Sequence, residues 1–328
     1  MQSILGIDVS KNTLDVALVT EGGVFHKLVN NDTQGYQQLE KWMRARQTGE
    51  VHACLEATGQ YGDGVAEYLV ECGHSVSVVN PARIKRYGES KLHRNKTDKA
   101  DAALIAEFCQ KEKPPLWQPP SSEIKHLRAL VRRLTDQKTN LQQEINRLKS
   151  GEKDPWVRHD LQIHINYLRE RIQATEKEIQ DLIDQTPDLK SQQKLLTSIP
   201  GIGDLTANTL LAEIGDISVY EGAPQLAAYA GLNPQGHRSG SSVHKKTRIS
   251  KQGRSELRRC LYMPAIVALR HNPVIQDLNN RMAERGSHKM EIIVASMRKL
   301  LHIAFGVLKN QIPFDPHYGE QLIFPLDF

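Results

Sequence analysis

Apolar and polar positions along the first 113 residues follow two periods. Runs 3–9 and 14–20 are strand-like and separated by a short polar turn, and VFHKLVN follows Gly22-Gly23 as a third run. Residues 33–47 read as a helix, 51–56 as a strand and 63–72 as a helix. SVSVVN at 75–80 is a strand ended by Pro81, and KTDKADAALIAEF then reads as a helix. A strand meander followed by alternating units predicts a mixed α/β sheet.

Pro114, Pro115, Pro119 and Pro120 mark a linker, and the period then changes. Ile124, Leu127, Val131, Leu134, Lys138, Leu141, Ile145 and Leu148 alternate spacings of three and four, a heptad seam with one polar interruption at Lys138. SGEKDP breaks it. Leu161, Ile165, Leu168, Ile172, Thr175, Ile179 and Leu182 form a second seam. The pair predicts an antiparallel coiled-coil hairpin about 40 Å long, either a scaffold arm or a dimerisation arm. Dimerisation is favoured, because two narrow seams leave apolar edges to cover. Residues 191–328 read as mostly helical, interrupted by a Gly/Ser/basic loop at 231–254 and ended by an irregular tail from Gln311.

The expected division is therefore 1–113, a catalytic α/β domain; 114–190, linker and hairpin; 191–310, a helical domain; and 311–328, a tail. A chain of 328 residues can bury cores for two domains. Cys54, Cys72, Cys109 and Cys260 show no CxxC spacing, which fits reduced thiols in a cytoplasmic protein. The N-terminus runs directly into a strand, and no apolar run is long enough to span a membrane.

The net charge of +5 is unevenly placed. Residues 1–190 carry 27 basic and 27 acidic side chains, so residues 191–328, with 16 against 11, hold the whole excess. Within 238–259 the basic residues Arg238, Lys245, Lys246, Arg248, Lys251, Arg254, Arg258 and Arg259 face one acid, Glu256. Such a field suits a polyanion, most simply nucleic acid, although a solvated basic face would look the same.

Four carboxylates carry the candidate chemistry. Asp8 ends the first strand, Glu56 closes VHACLE, and Asp98 and Asp101 share one face of the later helix. Carboxylates gathered in this way repel unless a cation neutralises them. An all-oxygen set suits Mg²⁺, with Mn²⁺ as a substitute. GIDVSK also resembles the first phosphate loop of an actin-like ATPase, but no second Gly-rich phosphate loop follows.

Two further segments point to nucleic acid. In LLTSIPGIGDLTANTLLAEIGD, Pro-Gly-Ile-Gly between two helical stretches reads as a helix-hairpin-helix. There Gly201 and Gly203 permit a tight turn, and the backbone N–H groups near Thr206 can hold a phosphate. A plain helical turn is the competing reading. In AGLNPQGHRSGSSVHKKTRISKQGRSELRRCL, the serines Ser239, Ser241 and Ser242 lie beside Arg238 and Lys245, where cations can activate a hydroxyl toward phosphate. Spacing alone does not say which serine reacts, and a loop that merely touches a DNA backbone would look similar.

Together GIDVSK, LEATGQY, RNKTDKADAALIAEFC, SIPGIGDLTA, AGLNP, SGSSV and ISKQG resemble, in order and over essentially the whole chain, one family. It comprises the insertion-sequence transposases with a DEDD catalytic domain and a C-terminal serine domain, the bridge-RNA-guided recombinases. The resemblance implies an RNase H-like (RuvC-like) N-terminal domain whose acids fall on Asp8, Glu56, Asp98 and Asp101, with Mg²⁺ between them. It places the catalytic serine on Ser239. It also implies a covalent phosphoserine intermediate, donor and target DNA as partners, and a structured bridge RNA that selects them. The active sites would be composite, formed in a homo-oligomer, a dimer or a tetramer on DNA. Gly201, Gly203, Thr206, Arg238, Lys245, Lys246, Arg248, Lys251 and Arg254 are the expected nucleic-acid contacts.

Overall fold

A computed structural model describes residues 2–57, 61–91, 98–239 and 243–317; residues 98, 236–239 and 243–248 are described by their backbone. The chain divides into two compact units, Met1–Pro119 and Pro120–Phe328.

The first unit is built on five strands: β1 (Ser3–Val9), β2 (Thr13–Thr20), β3 (Gly23–Asn30), β4 (Val51–Glu56) and β5 (Ser75–Val79). Their order is β3-β2-β1-β4-β5. The first three form an antiparallel meander, while β4 and β5 run parallel to β1. Parallel neighbours need crossover connections, and helices supply them. These are α1 (Thr33–Arg44), α2 (Asp63–Glu71), α3 (Pro81–Ser90) and α4 (Asp98–Glu112).

The central strands are covered on both faces. Leu5, Ile7 and Val9 pack with Leu39 and Met43 of α1 and with Val65 and Leu69 of α2. Ile4 and Cys54 pack on the opposite face with Ile84 of α3 and with Ile105, Phe108 and Cys109 of α4. The alternation along β1 sorts its side chains to the two layers. This is the RNase H-like arrangement expected above.

Three local expectations change. The first helix ends at Arg44, before residue 47. Pro81 does not simply end a strand; it opens α3, where the Asn80 side chain accepts from the Ala82 N–H. Proline suits the first helical turn because its missing N–H would have no helical partner there. The proline stretch read as a linker instead covers the outer edge of β5. The Trp117 N–H donates to the Val76 carbonyl at 2.7 Å, and the Ser77 hydroxyl donates to the carbonyls of Pro114 and Pro115. Covering an edge strand removes a site of unwanted pairing.

The second unit starts with α5 (Ser122–Lys149) and α6 (Pro155–Gln185). The Lys138–Glu176 ion pair at 2.8 Å and the His164–Glu144 side-chain contact at 3.4 Å show that the two helices run antiparallel. On α6 the seam residues Ile165, Leu168, Ile172, Thr175 and Ile179 are buried, as the heptad predicts. On α5 the seam drifts: Gln137 and Glu144 are buried, while Lys138 reaches across to Glu176. The base of this hairpin shares one core with the helices that follow. Leu127, Val131, Ile179 and Ile183 cluster with residues of α7 (Pro187–Thr197), α8 (Asp204–Ile214), α9 (Ala223–Tyr229), α10 (Ser255–His271), α11 (Pro273–Glu284) and α12 (Lys289–Asn310). The segment read as a Gly/Ser/basic loop contains a two-stranded hairpin, β6 (Pro234–Ser239) and β7 (Val243–Ile249). Among the described residues no helix is long and apolar enough to cross a membrane.

Candidate functional site

Asp8 and Glu56 end neighbouring parallel strands. Ile7 pairs with Leu55, so each carboxylate stands one residue further along at the same end of the sheet. Both are half-buried. Asp8 also lies directly opposite Asp15 of β2. Residues directly opposite share a face, so a third carboxylate stands beside the two expected ones. Asp15 was absent from the sequence reading. The signal for it was the hairpin register across the turn at residues 10–12, which pairs the two aspartates.

Helix α4 brings the remaining acids to this end. A Cβ built on Gly6 would lie 2.2 Å from the Ala102 carbonyl oxygen and 2.4 Å from the Ala106 nitrogen. Only a residue without a side chain lets the helix backbone rest on β1. Gly6 and Asp8 are two apart and therefore face the same helix. Further along α4, Cys109 sits beside Cys54 and His52 of β4, and His52 pairs with Ile4 near the start of β1. The helix thus runs opposite to β1, and its first turn, with Asp98 and Asp101, points toward the Asp8 end. The Asp98 side chain lies outside the described residues. Asp101 is half-exposed.

The helix is also anchored toward its other end. Glu107 accepts from Lys91 at 2.7 Å and from Lys111 at 2.8 Å. Hydrogen bonds from Lys111 and then Lys91 hold its carboxyl down at about 2. Lys91 caps the end of α3, so this bridge ties α3 to α4. The buried His52 Nε2 and Ser77 Oγ are 2.8 Å apart.

The donor set at the sheet end is oxygen only, as a hard divalent ion requires. Among the described residues no three acidic, histidine or cysteine side chains already form a cluster that could hold an ion. Asp8, Glu56 and Asp101 are the described carboxylates at this end that could hold one; the expected fourth, Asp98, has its side chain outside the described residues.

Ser239 belongs to the second unit. It is the last residue of β6 and pairs with Val243; Ser241 and Ser242 lie outside the described residues. Two motifs form the feet of this hairpin. AGLNP and ISKQG are stitched together by Ser250 N–H to the Asn233 carbonyl, Lys251 N–H to the Gly231 carbonyl and Arg254 N–H to the Tyr229 carbonyl. A Cβ on Gly253 would meet the Tyr229 carbonyl oxygen at 2.2 Å. Arg254 donates to the Tyr229 hydroxyl at 2.9 Å, and Arg258 donates to the carbonyls of Ala230 and Gly253. Two of the basic residues expected on a polyanion surface therefore also brace the hairpin. Arg238, Lys245, Lys246 and Arg248 lie along its two strands, and Lys251 is exposed at its foot.

Residues 198–203 join α7 to α8. Gly201, at φ +104°, presents the side where a Cβ would stand to Pro264 and Ala268 of α10 and is half-buried. Gly203 opens α8 and is exposed, with open space where a Cβ would stand. Thr206 is half-buried.

Comparison with known proteins gives matches at both ends of the chain. Residues 5–151 match the IS110 DEDD family, described as Transposase, and residues 193–280 match the Transposase IS116/IS110/IS902 family. The pilin gene-inverting protein of Moraxella lacunata is 38% identical over 322 residues, covering 97% of this chain and 99% of the relative. The transposase for insertion sequence element IS1111A of Coxiella burnetii is 27% identical over 82% of this chain and 78% of its own length. T. thermophilus RuvC, solved in complex with a Holliday junction substrate, covers 36% of this chain and 100% of its own. At 13% identity and a TM-score of 0.27, that likeness is too slight to bear on fold or chemistry.

Proposed function

This chain belongs to the IS110/IS116/IS902 family of insertion-sequence transposases, enzymes that cut and rejoin DNA, and we propose that it does so through a covalent phosphoserine link formed by Ser239. The Ser239 hydroxyl loses its proton and attacks a DNA phosphorus. One P–O bond forms as the bond to the leaving deoxyribose oxygen breaks, and that oxygen takes up a proton. Attack on the phosphoserine by a hydroxyl of another strand reverses the step. Bond number is conserved, so rejoining needs no external energy source.

Asp8, Glu56, Asp98 and Asp101 would hold Mg²⁺, or Mn²⁺ in its place. The ion would supply charge stabilisation at the reacting phosphate. The carboxylates position it at the sheet end, and Asp15 adds negative charge there. Arg238, Lys245, Lys246, Arg248 and Lys251 bind the DNA backbone, with Arg254 supporting their hairpin; Gly201, Gly203 and Thr206, in the helix-hairpin-helix, offer a backbone contact. A structured bridge RNA selects donor and target, and the chain works as a homo-oligomer, a dimer or a tetramer on DNA, inside the cytoplasm. The proposed domains are 1–113, 114–190, 191–310 and 311–328, with residues 114–119 covering the first of these. The name of the Moraxella relative points to inversion of a DNA segment as one outcome. Inversion and insertion share the same cut-and-rejoin step and differ in how the two sites are arranged.

The observation that carries this reading is the resting of α4 on Gly6, which aims its first turn at the strand ends bearing Asp8 and Glu56. The test is capture of a protein–DNA adduct on a denaturing gel. Ser239→Ala is expected to abolish the adduct, whereas Ser241→Ala and Ser242→Ala only weaken it. An adduct that persists in Ser239→Ala moves the nucleophile elsewhere. Free DNA ends without any adduct would make the enzyme a metal-dependent junction-type nuclease instead.

A further inference from the structure

Among the described residues, β6 and β7 pair only with each other. A two-stranded ribbon is marginally stable alone, so its direction is set where it leaves the body of the second unit. Ser239 ends β6, and from Asn233 the extended strand carries it up to about 20 Å away from that foot. At this reach a tilt of about 10° at the foot moves Ser239 by about 3 Å. A misplacement of about 1 Å can slow an aligned reaction about a hundredfold. The foot of the ribbon therefore governs where the serine can be delivered.

Leu232 and Ile249 anchor the foot in the core on its apolar side. The polar side converges on one nitrogen. Arg258 Nη1 donates to the Ala230 carbonyl at 2.8 Å, ahead of β6, and to the Gly253 carbonyl at 3.1 Å, behind β7. It also donates to the Arg254 carbonyl at 3.3 Å, at the N-cap of α10. One guanidinium thus ties both feet of the ribbon to α10. The backbone leaves room for it: Gly231 has φ +68°, and a Cβ there would stand 2.7 Å from the same nitrogen. Arg254 adds a second strap through the Tyr229 hydroxyl at 2.9 Å. Packing of α10 rests on the buried Leu257 and Leu261 on either side. A cation near a helix start also opposes the helix dipole. Neither fact explains an arginine at this position; its bonds to the two feet do.

We propose that Arg258, backed by the Arg254–Tyr229 pair, is a positioning residue for the Ser239 nucleophile: its guanidinium fixes the direction of the β6–β7 ribbon against α10. This rests on the serine reading above and adds to it the residues that aim the serine. Nη1 is committed to the ribbon, so Arg258 contributes to the rate of attack and not to DNA affinity. Affinity falls to the basic residues along the strands, Arg238, Lys245, Lys246 and Arg248.

Single-turnover formation of the protein–DNA adduct tests it. The reaction uses full-length protein, Mg²⁺, RNA transcribed from the same insertion sequence, and a duplex spanning the element's end at increasing concentration. Arg258→Met keeps the apolar stem and removes the donors; Tyr229→Phe removes the hydroxyl that Arg254 holds. The maximal rate is expected to fall about tenfold or more in Arg258→Met and about threefold in Tyr229→Phe, with the half-saturating DNA concentration within about twofold of wild type. Folded fraction is checked by circular dichroism. Amide exchange in β6 and β7 should quicken in Arg258→Met while α8 and α12 keep their protection. A wild-type maximal rate in either folded variant would overturn the inference, and Tyr229→Phe decides alone if Arg258→Met does not fold. So would a raised half-saturating concentration at unchanged maximal rate, which would make Arg258 a phosphate contact. Exchange quickened throughout the second unit would also overturn it, by reducing Arg258 to a general stabiliser. An adduct that persists in Ser239→Ala defeats the serine reading and this inference with it. A Ser239-dependent adduct formed at the wild-type rate by Arg258→Met defeats this inference alone.

Discussion

Gly6 of β1 lies so close beneath Ala102 of α4 that a methyl group on it would stand 2.2 Å from the Ala102 carbonyl oxygen. The atom in the way is backbone, so no rotamer change relieves the clash. Gly6→Ala must lift the first turns of α4 off the sheet, and with them Asp98 and Asp101. Overpacking of this kind costs about 1–3 kcal/mol. We expect that loss in urea denaturation, together with a fall in adduct formation larger than the unfolded fraction explains. Wild-type activity in Gly6→Ala would detach the α4 acids from the chemistry.

Asp15 faces Asp8 across β1 and β2. If both lie in the field of the bound ion, Asp15→Asn weakens ion binding without removing it. About tenfold more Mg²⁺, equivalent to about 1.4 kcal/mol, should be needed for half of the Mg²⁺-induced rise in Tm. Asp101→Asn should go further and abolish strand joining at any Mg²⁺ concentration, with Tm in the absence of metal little changed. Equal Mg²⁺ responses in Asp15→Asn and wild type would place Asp15 outside the site, and full activity in Asp101→Asn would do the same for Asp101.

The parts of this molecule legible in its sequence are those governed by short-range pattern. The apolar alternation of β1, β2 and β4 put Asp8 and Glu56 at strand ends, and the heptad on α6 identified its buried face. What depended on contacts distant in sequence was not legible. Asp15 needed the register of β2 against β1. The role of Gly6 needed α4 laid across it from about a hundred residues away. The strands β6 and β7 sit in a polar, Gly- and Ser-rich stretch whose feet are stitched at Tyr229, Gly231 and Asn233, so no local pattern announced them. Helix α3 was missed for a local reason: Pro81 is equally at home ending a strand and opening a helix.

The Glu107 carboxyl is held at about 2 by Lys111 and Lys91. A carboxyl depressed below its unfolded value of 4.5 stabilises the fold above that pH. The contribution is lost as pH falls through 4.5 toward 2. Glu107→Gln should therefore lower Tm at pH 7 and approach wild type as the pH is brought down through that window. Thermal melts of both proteins across pH 2–7 check this. A constant difference in Tm over that range would mean that Glu107 acts through packing and not through its charge.

Gly201 and Gly203 stand two residues apart in one turn, in opposite surroundings. Gly201 adopts φ +104°, and a Cβ there would stand 2.9 Å from the Ala268 Cβ and 3.0 Å from the Pro264 carbonyl oxygen. Gly201→Ala should therefore destabilise the second unit by about 1–3 kcal/mol. Gly203 has φ −95° and no neighbour within 4 Å of a Cβ, so Gly203→Ala should change stability by less than about 0.5 kcal/mol. If the turn holds a DNA phosphate at the start of α8, the new methyl group intrudes between the helix N–H groups and the phosphate. DNA affinity, measured at fixed salt because such contacts are salt-dependent, should then fall several-fold in Gly203→Ala at unchanged Tm. Unchanged affinity would reduce the turn to a helix connection that packs on α10.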